Sequence, residues 1–190
     1  MSLVLPANSA VLVIDVQVAF FEAQKLPQDG PIVIGRINRL TARARQSGIP
    51  VFFIQHEDAG DGLVAQSDRW QLASDLHVES GDCRIGKKTC DAFFETSLER
   101  ELGSRHVDQL VIAGYATEFC IDSTVRAALS RNFKVVVVSD AHTTNNSPVL
   151  NARLIRDFHN WAWENCTAAR SVEVVPTNGI VFPESPLDAS

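Results

Sequence analysis

A cysteine that follows a predicted strand offers this chain a nucleophile. Cys120 closes the segment Gly114-Tyr-Ala-Thr-Glu-Phe-Cys120, in which an apolar strand gives way to a helix near Glu118. With Thr117 as the predicted N-cap, Cys120 falls in the first helical turn, where backbone N–H groups have no intrahelical partner. The helix dipole there stabilises a thiolate, or an oxyanion beside it. A plain buried thiol fits the same residues, because free cysteines usually belong to the core.

An activated cysteine needs a helper, either a base or a fixed cation. Lowering a thiol pKa by two units takes about 2.7 kcal/mol, whereas a helix terminus contributes about 0.3–1 kcal/mol. Asp15 is a candidate base, because it ends an apolar strand where an unpaired carboxylate is costly. Lys87 is a candidate cation in a short segment of polar residues. Both residues also have structural interpretations, Asp15 as a loop cap and Lys87 as a solvated lysine.

The elements that must position these residues alternate between strands and helices. Four helical stripes of apolar residues begin at Val33, Phe94, Ile121 and Leu150, the last with Ser147 and Pro148 as its predicted N-terminus. A short helix near 69–76 and a short strand near 83–85 complete the pattern. This alternation predicts a three-layer α/β/α sandwich around a mainly parallel, Rossmann-like sheet of about six strands. The five main strands are short, β-branched and almost continuously apolar, and we place them at 11–16, 51–55, 109–113, 134–139 and 172–175.

Ligands of such sheets bind beyond the carboxyl ends of the strands, which is where all three candidate residues fall. The length of 190 residues suits a single domain over 1–190. Residues 176–190 contain three prolines and few apolar residues, and we interpret them as a C-terminal tail or an arm over a neighbour.

Composition excludes several classes of protein. The formal net charge is −6, and no run of lysine and arginine marks a nucleic-acid surface. No apolar stretch approaches the roughly 18 residues of a membrane span, and the N-terminus lacks the pattern of a signal peptide. The four cysteines form no C-x-x-C pair, which indicates a reduced, cytoplasmic protein. We expect a small-molecule substrate and no cofactor.

Three segments in order resemble the isochorismatase-like cysteine hydrolases, a family that includes nicotinamidases and N-carbamoylsarcosine amidases. The resemblance covers roughly 9–175. Asp15-Val-Gln-Val-Ala-Phe20 matches the family's D-x-Q-x-x-F, and Lys87-Lys-Thr-Cys-Asp-Ala-Phe93 matches its K-x-x-x-[SD]-A-F. The cysteine segment matches G-x-x-T-x-x-C, and Asp140-Ala-His142 also fits.

The resemblance implies a catalytic triad of Asp15, Lys87 and Cys120 that cleaves an amide-type C–N bond through a thioester. It also implies a cis peptide bond before Ala116, with the N–H groups of Ala116 and Cys120 as an oxyanion hole, and a homo-oligomeric assembly. For substrate binding we predict one glutamine and four aromatic residues: Gln17, Phe20, Trp70, Tyr115 and Phe119.

The sequence departs from the nicotinamidases at one motif, and two functions other than amide hydrolysis are also compatible with it. Nicotinamidases of the family carry a D-x-H metal motif where this chain has Gln55-His-Glu-Asp58. His56 and Asp58 are residue types that bind metals, but their spacing differs from that motif. We therefore predict no metal and interpret His56 as a pocket or locally bonded residue. An isochorismatase-type enzyme would cleave a vinyl ether with Asp15 as the acid and without a cysteine. A non-catalytic small-molecule-binding protein is the other alternative, although no G-x-G-x-x-G or P-loop follows a strand.

Overall fold

Six parallel strands form the central sheet of the computed structural model, which describes residues 2–60 and 62–184. The strands are β2 (Ser9–Ile14), β3 (Val51–His56), β4 (Cys83–Lys87), β5 (Gln109–Tyr115), β6 (Lys134–Thr143) and β7 (Val172–Val175). Their spatial order is β4-β3-β2-β5-β6-β7, with β2 and β5 at the centre. The sandwich and its six-stranded sheet are therefore confirmed.

The helices cover both faces of this sheet. They are α1 (Val18–Phe21), α2 (Gly30–Gln46), α3 (Leu98–Ser104), α4 (Asp122–Ser130) and α5 (Ala152–Glu164). Short turns are 3-10 at Asp68–Trp70 and Thr177–Gly179, and π-helical at Thr117–Ile121.

The central strand β2 shows why the sheet is sandwiched. All six of its residues are buried, and their side chains alternate between two cores. Val11 and Val13 pack in the core that contains the inner face of α2. Leu12 and Ile14 pack in the core beneath α3 and α4. Each fully buried side chain of this kind stabilises the fold by about 1.5–3 kcal/mol.

Two short strands join the ends of the described chain. Strand β1 (Leu3–Val4) pairs in parallel with β8 (Ile180–Val181), and Ile180 is fully buried in the core with α2. The first part of the segment that we interpreted as a tail or arm, 176–184, thus packs on its own chain. The rest of that segment, 185–190, lies outside the described residues.

The structure confirms some of the predicted apolar helix faces and contradicts others. The α2 stripe is buried as predicted, but α3 begins only at Leu98 and leaves Phe94 half exposed. The predicted N-terminus and inner face of the last helix are wrong. Helix α5 begins after Asn151, whose side chain accepts the Leu154 N–H at 2.9 Å.

The inner face of α5 is rotated relative to the prediction, because Trp163 rather than the leucines fills the space against the sheet. Trp163 is 1% exposed, and its indole N–H donates to Asp122 at 2.8 Å. Leu154, Phe158 and Trp161 are instead 51–60% exposed. The predicted homo-oligomer would find an apolar surface here, but it stays a prediction.

The predicted helix at 69–76 is wrong beyond its first turn. The 3-10 turn at Asp68–Trp70 ends in an extended residue, and Leu72 forms a bridge to Gln17 instead of continuing a helix. Within the described part of the chain, no helix is both long and apolar enough to cross a membrane. The predicted cytoplasmic location remains a prediction.

Candidate active site

Asp15, Lys87 and Cys120 meet at the carboxyl edge of the sheet. The Lys87 ammonium lies 2.8 Å from Asp15 Oδ2 and 3.2 Å from Cys120 Sγ. The exposed fractions are 1% for Asp15, 1% for Lys87 and 9% for Cys120. Three residues that are distant in sequence thus form one buried, hydrogen-bonded chain, as the motifs implied.

The backbone of β2 and β5 is shaped to bring the acid into place. Asp15 directly follows β2 and has a positive φ of 52°, which is uncommon for a residue other than glycine. Gly114 in β5 pairs with Ile14, the residue before Asp15; its φ is 126°, and a Cβ there would collide with the backbone of Ile14. Only glycine lets the two strands approach this closely next to the site.

Lys87 comes from the edge strand β4 and crosses the end of β3 to reach Asp15. Its ammonium also donates to the Thr89 carbonyl at 3.1 Å and lies 3.3 Å from His56 Nδ1. Burial opposes the charge, but Asp15 and Cys120 together outweigh that effect and raise the pKa of Lys87. The lysine is therefore a fixed cation at neutral pH.

Cys120 rests as a thiol rather than a thiolate. Burial raises its pKa, the Asp15 carboxylate raises that pKa further, and the Lys87 ammonium offsets only part of the rise. The lowered pKa that the sequence led us to look for at Cys120 is wrong, because the sulfur is buried and a carboxylate lies beside it. Asp15 Oδ1 is buried, has no hydrogen-bond donor among the described residues, and can accept the thiol proton.

The turn that carries Cys120 differs from the predicted helix start. A cis peptide bond joins Tyr115 to Ala116, as the family resemblance implied. The following turn is π-helical, with the Ile121 N–H bonded to the Ala116 carbonyl at 3.1 Å. The N-cap position belongs to Ala116, so Thr117 as N-cap is wrong.

Thr117 is anchored instead to a buried histidine. Its hydroxyl lies 2.9 Å from His142 Nδ1, while His142 Nε2 lies 2.9 Å from Asn160 Oδ1. The Asn160 amide is oriented by its bond to the Ser139 carbonyl, so His142 Nε2 donates and Nδ1 accepts from Thr117. Burial lowers the pKa of His142 to about 4, which keeps the ring neutral. Sequence reasoning missed Asn160, since nothing marks a helical asparagine as part of a site.

A cavity of about 220 Å³ opens onto Asp15 and Cys120. Phe20 and Tyr115 form one wall, with ring centroids 5.0 Å apart. A larger cavity of about 370 Å³ lies beside α4 and contains none of the three residues, so the smaller cavity is the candidate site. Eight residues line it: Asp15, Phe20, His56, Leu63, Tyr115, Ala116, Phe119 and Cys120.

The structure places three of the five predicted substrate residues on the wall of this cavity: Phe20, Tyr115 and Phe119. Gln17 and Trp70 do not line it. The Gln17 amide bonds the His56 backbone on both sides and also donates to the Trp70 carbonyl at 2.9 Å. These two residues tie the loop at Trp70 to the strand ends. Leu63 was missed, because a lone leucine in a loop carries no sequence signal.

The residues considered for a metal have other contacts. His56 Nδ1 faces the Lys87 ammonium, and Asp58 accepts the Gly60 N–H at 2.8 Å. Across 2–60 and 62–184, no group of three or more His, Cys, Asp or Glu side chains converges as metal ligands do. The absence of a metal remains a prediction.

Known proteins resemble this chain over most of its length. The model of the isochorismatase domain matches residues 9–178. Streptothricin hydrolase of Streptomyces noursei is 34% identical over 142 residues, which cover 73% of this chain and 51% of that protein. The chain thus spans about half the length of that relative. Ureidoacrylate amidohydrolase RutB of Methylobacterium radiotolerans is 30% identical over 197 residues, which cover 82% of this chain and 76% of the relative.

A solved structure agrees in both sequence and shape. It is described as an isochorismatase family protein, and it superposes with a TM-score of 0.81 at 32% identity, covering 88% of this chain and 98% of its own. The family model spans nearly the whole described chain, and both relatives and the solved structure agree with it. The chain belongs to the isochorismatase family.

Proposed function

We propose that this chain is a hydrolase that cleaves an amide-type C–N bond of a small molecule with Cys120 as the nucleophile. The observation that carries the proposal is the hydrogen-bonded chain from Asp15 through Lys87 to the Cys120 sulfur, at 2.8 and 3.2 Å, with Asp15 and Cys120 on the wall of a cavity. The names of two relatives, streptothricin hydrolase and ureidoacrylate amidohydrolase, support a hydrolase of this kind.

Acylation begins when the thiol proton passes to Asp15. The Lys87 ammonium then faces a thiolate at 3.2 Å, an attraction of about 5 kcal/mol at an effective dielectric constant near 20. That attraction offsets much of the cost of ionising a buried sulfur, so the thiolate forms when a substrate needs it. As the S–C bond forms, the carbonyl oxygen takes the negative charge, and the N–H groups of Ala116 and Cys120 stabilise it.

Collapse of this intermediate releases the amine. The C–N bond breaks, and Asp15 returns its proton to the leaving nitrogen, which departs as ammonia or an amine. A thioester on Cys120 remains. Water then gives a proton to Asp15 and attacks the thioester carbonyl, the S–C bond breaks, and the thiolate recovers the proton. The products are a carboxylic acid and the original enzyme.

An ammonia-release screen over primary amides, ureas and carbamoyl compounds tests this proposal. We expect Cys120→Ala to lower turnover by about 10³-fold or more while circular dichroism stays unchanged. Cys166→Ala, at a half-buried thiol outside the cavity, is the matched control and should retain activity. A covalent acyl adduct on Cys120 should appear by intact mass after rapid acid quench.

The vinyl ether alternative is separated by the same variant. Retention of amide hydrolysis in Cys120→Ala would refute the nucleophilic role of the sulfur. Cleavage of isochorismate that survives this substitution would instead favour an ether hydrolase that uses Asp15.

A further inference from the structure

No lysine or arginine is found among the described residues that line the candidate cavity. Among its described lining residues only Asp15 is charged, and its carboxylate is neutralised by Lys87 at 2.8 Å. The triad is therefore electrically neutral as a unit. A substrate that enters meets neither a free positive charge nor an uncompensated negative one.

Lys87 has no capacity left for a further anion. An ammonium has three protons, and this one has four neighbouring acceptors: Asp15 Oδ2, Cys120 Sγ, the Thr89 carbonyl and His56 Nδ1. Its side chain is also fully buried behind the sulfur. A substrate carboxylate would have to displace one of the contacts that the proposed reaction needs.

His56 does not supply the missing charge. Its Nδ1 lies 3.3 Å from the Lys87 ammonium, which can only donate, so Nδ1 is an acceptor and carries no proton. A second proton on this ring would put two cations in contact. The Nδ1 side of His56 therefore faces Lys87 as an acceptor and adds no positive charge there.

The rest of the wall is apolar and largely flat. Phe20 and Tyr115 stack with an interplanar angle of 28°, Leu63 is buried, and Phe119 stands at the rim with 58% of its surface exposed. Such walls favour planar or apolar groups. A carboxylate among them would lose its hydration without gaining a lysine or arginine partner from the described wall.

We propose that the cavity selects uncharged acyl groups, with aryl and alkyl carboxamides as the substrate class, and discriminates against amides that carry a carboxylate. This inference rests on the proposed function, since it names the substrate of the same site. The discrimination arises because the described cavity wall supplies no lysine or arginine to a substrate carboxylate, and not because the carboxylate clashes with the wall.

Matched thiol reagents test the charge preference without any need for turnover. Iodoacetamide and iodoacetate differ in charge but form the same kind of S–C bond with loss of iodide. Mass spectrometry of digested protein gives the ratio of the two alkylation rates at each cysteine. Cys90 is the exposed reference, and Cys83, 3.5 Å from the Arg105 guanidinium, is a control thiol that should tolerate the anion.

We expect the iodoacetamide preference at Cys120 to exceed that at Cys90 by at least about tenfold. A Cys120 ratio equal to or below the Cys90 ratio would overturn the inference. The alkylation ratio is measured without turnover. It therefore tests the charge preference of the cavity even if the protein hydrolyses no amide.

A second test compares the turnover of a neutral amide with that of an anionic one. Benzamide should exceed 4-carbamoylbenzoate in kcat/KM by at least about tenfold. Phe119→Arg, which adds a cation at the exposed rim, should narrow that difference, whereas the uncharged control Phe119→Gln should not. Equal turnover of both amides by the wild type would refute the charge selection, and turnover of no amide would refute the proposed function alone.

Discussion

Replacing Lys87 with methionine isolates what the buried ammonium contributes to the fold. Methionine keeps most of the length and apolar contacts of the lysine stem and removes the charge together with its N–H donors. The substitution leaves Asp15, which is 1% exposed, as a buried carboxylate without its partner. We expect Lys87→Met to be strongly destabilised and Asp15→Asn/Lys87→Met to recover most of the loss.

The magnitude follows from the geometry of the pair. At 2.8 Å the attraction between the two charges is about 6 kcal/mol at an effective dielectric constant near 20. Desolvation of the two ions, several kcal/mol each, offsets this, so the intact pair is worth little net stability. Loss of one partner leaves the other desolvated and unpaired, which costs about 3–5 kcal/mol.

Urea unfolding at pH 7 measures the free energy of unfolding of the wild type and of both variants. Unchanged m-values would show that the substitutions alter stability and not the surface exposed on unfolding. The pKa of Lys87 is raised on folding, so its contribution is complete below the unfolded pKa of about 10.5 and is lost as pH rises through the folded value. The gap between wild type and Lys87→Met should therefore narrow at strongly alkaline pH. A single variant that loses less than about 1 kcal/mol, or a double variant no more stable than the single, would refute this reasoning.

Three further predictions concern the surrounding fold. Because burial lowers the pKa of His142 to about 4, acid should destabilise the protein as pH falls from about 6.5 towards 4, by up to roughly 1.4 kcal/mol per pH unit. Thermal unfolding across that range should show a shallower slope for His142→Gln, and an unchanged slope would contradict the assignment. Trp163→Ala should cost about 3–5 kcal/mol in urea unfolding, whereas Trp161→Ala, at a 60% exposed position, should cost less than about 1 kcal/mol; equal losses would argue against the observed face of α5. Gly114→Ala should lose about 2–4 kcal/mol, because φ is positive and the strands touch there, and a melting temperature within a degree of wild type would exclude that strain.

The layered fold could be predicted because it depends on local patterns. Each strand is a short β-branched run buried on both faces, and such a run has few alternatives to the middle of a parallel sheet. The stripe on α2 was equally clear, since its residues all face one core. The segments that carry Asp15, Lys87 and Cys120 lie at the ends of strands, and parallel strands bring those ends to one edge of the sheet.

Side-chain direction could not be predicted in the same way. The stripe at Leu154 and Phe158 has good helical spacing, yet α5 turns Trp163 inward because the larger ring fills the space against the sheet. Gln17 and Trp70 looked like substrate contacts, but bonds to the strand ends direct the glutamine amide away from the cavity.

The sequence by itself determined the sheet, the order of its elements and the identity of three candidate catalytic side chains, because residue type and spacing are local properties. Tertiary structure alone decided the protonation of Cys120, the partner of Thr117 and which described residues line the cavity. These depend on distances of about 3 Å between residues that are far apart in the chain. Electrostatic energy and desolvation change steeply over that distance, and no sequence pattern encodes it.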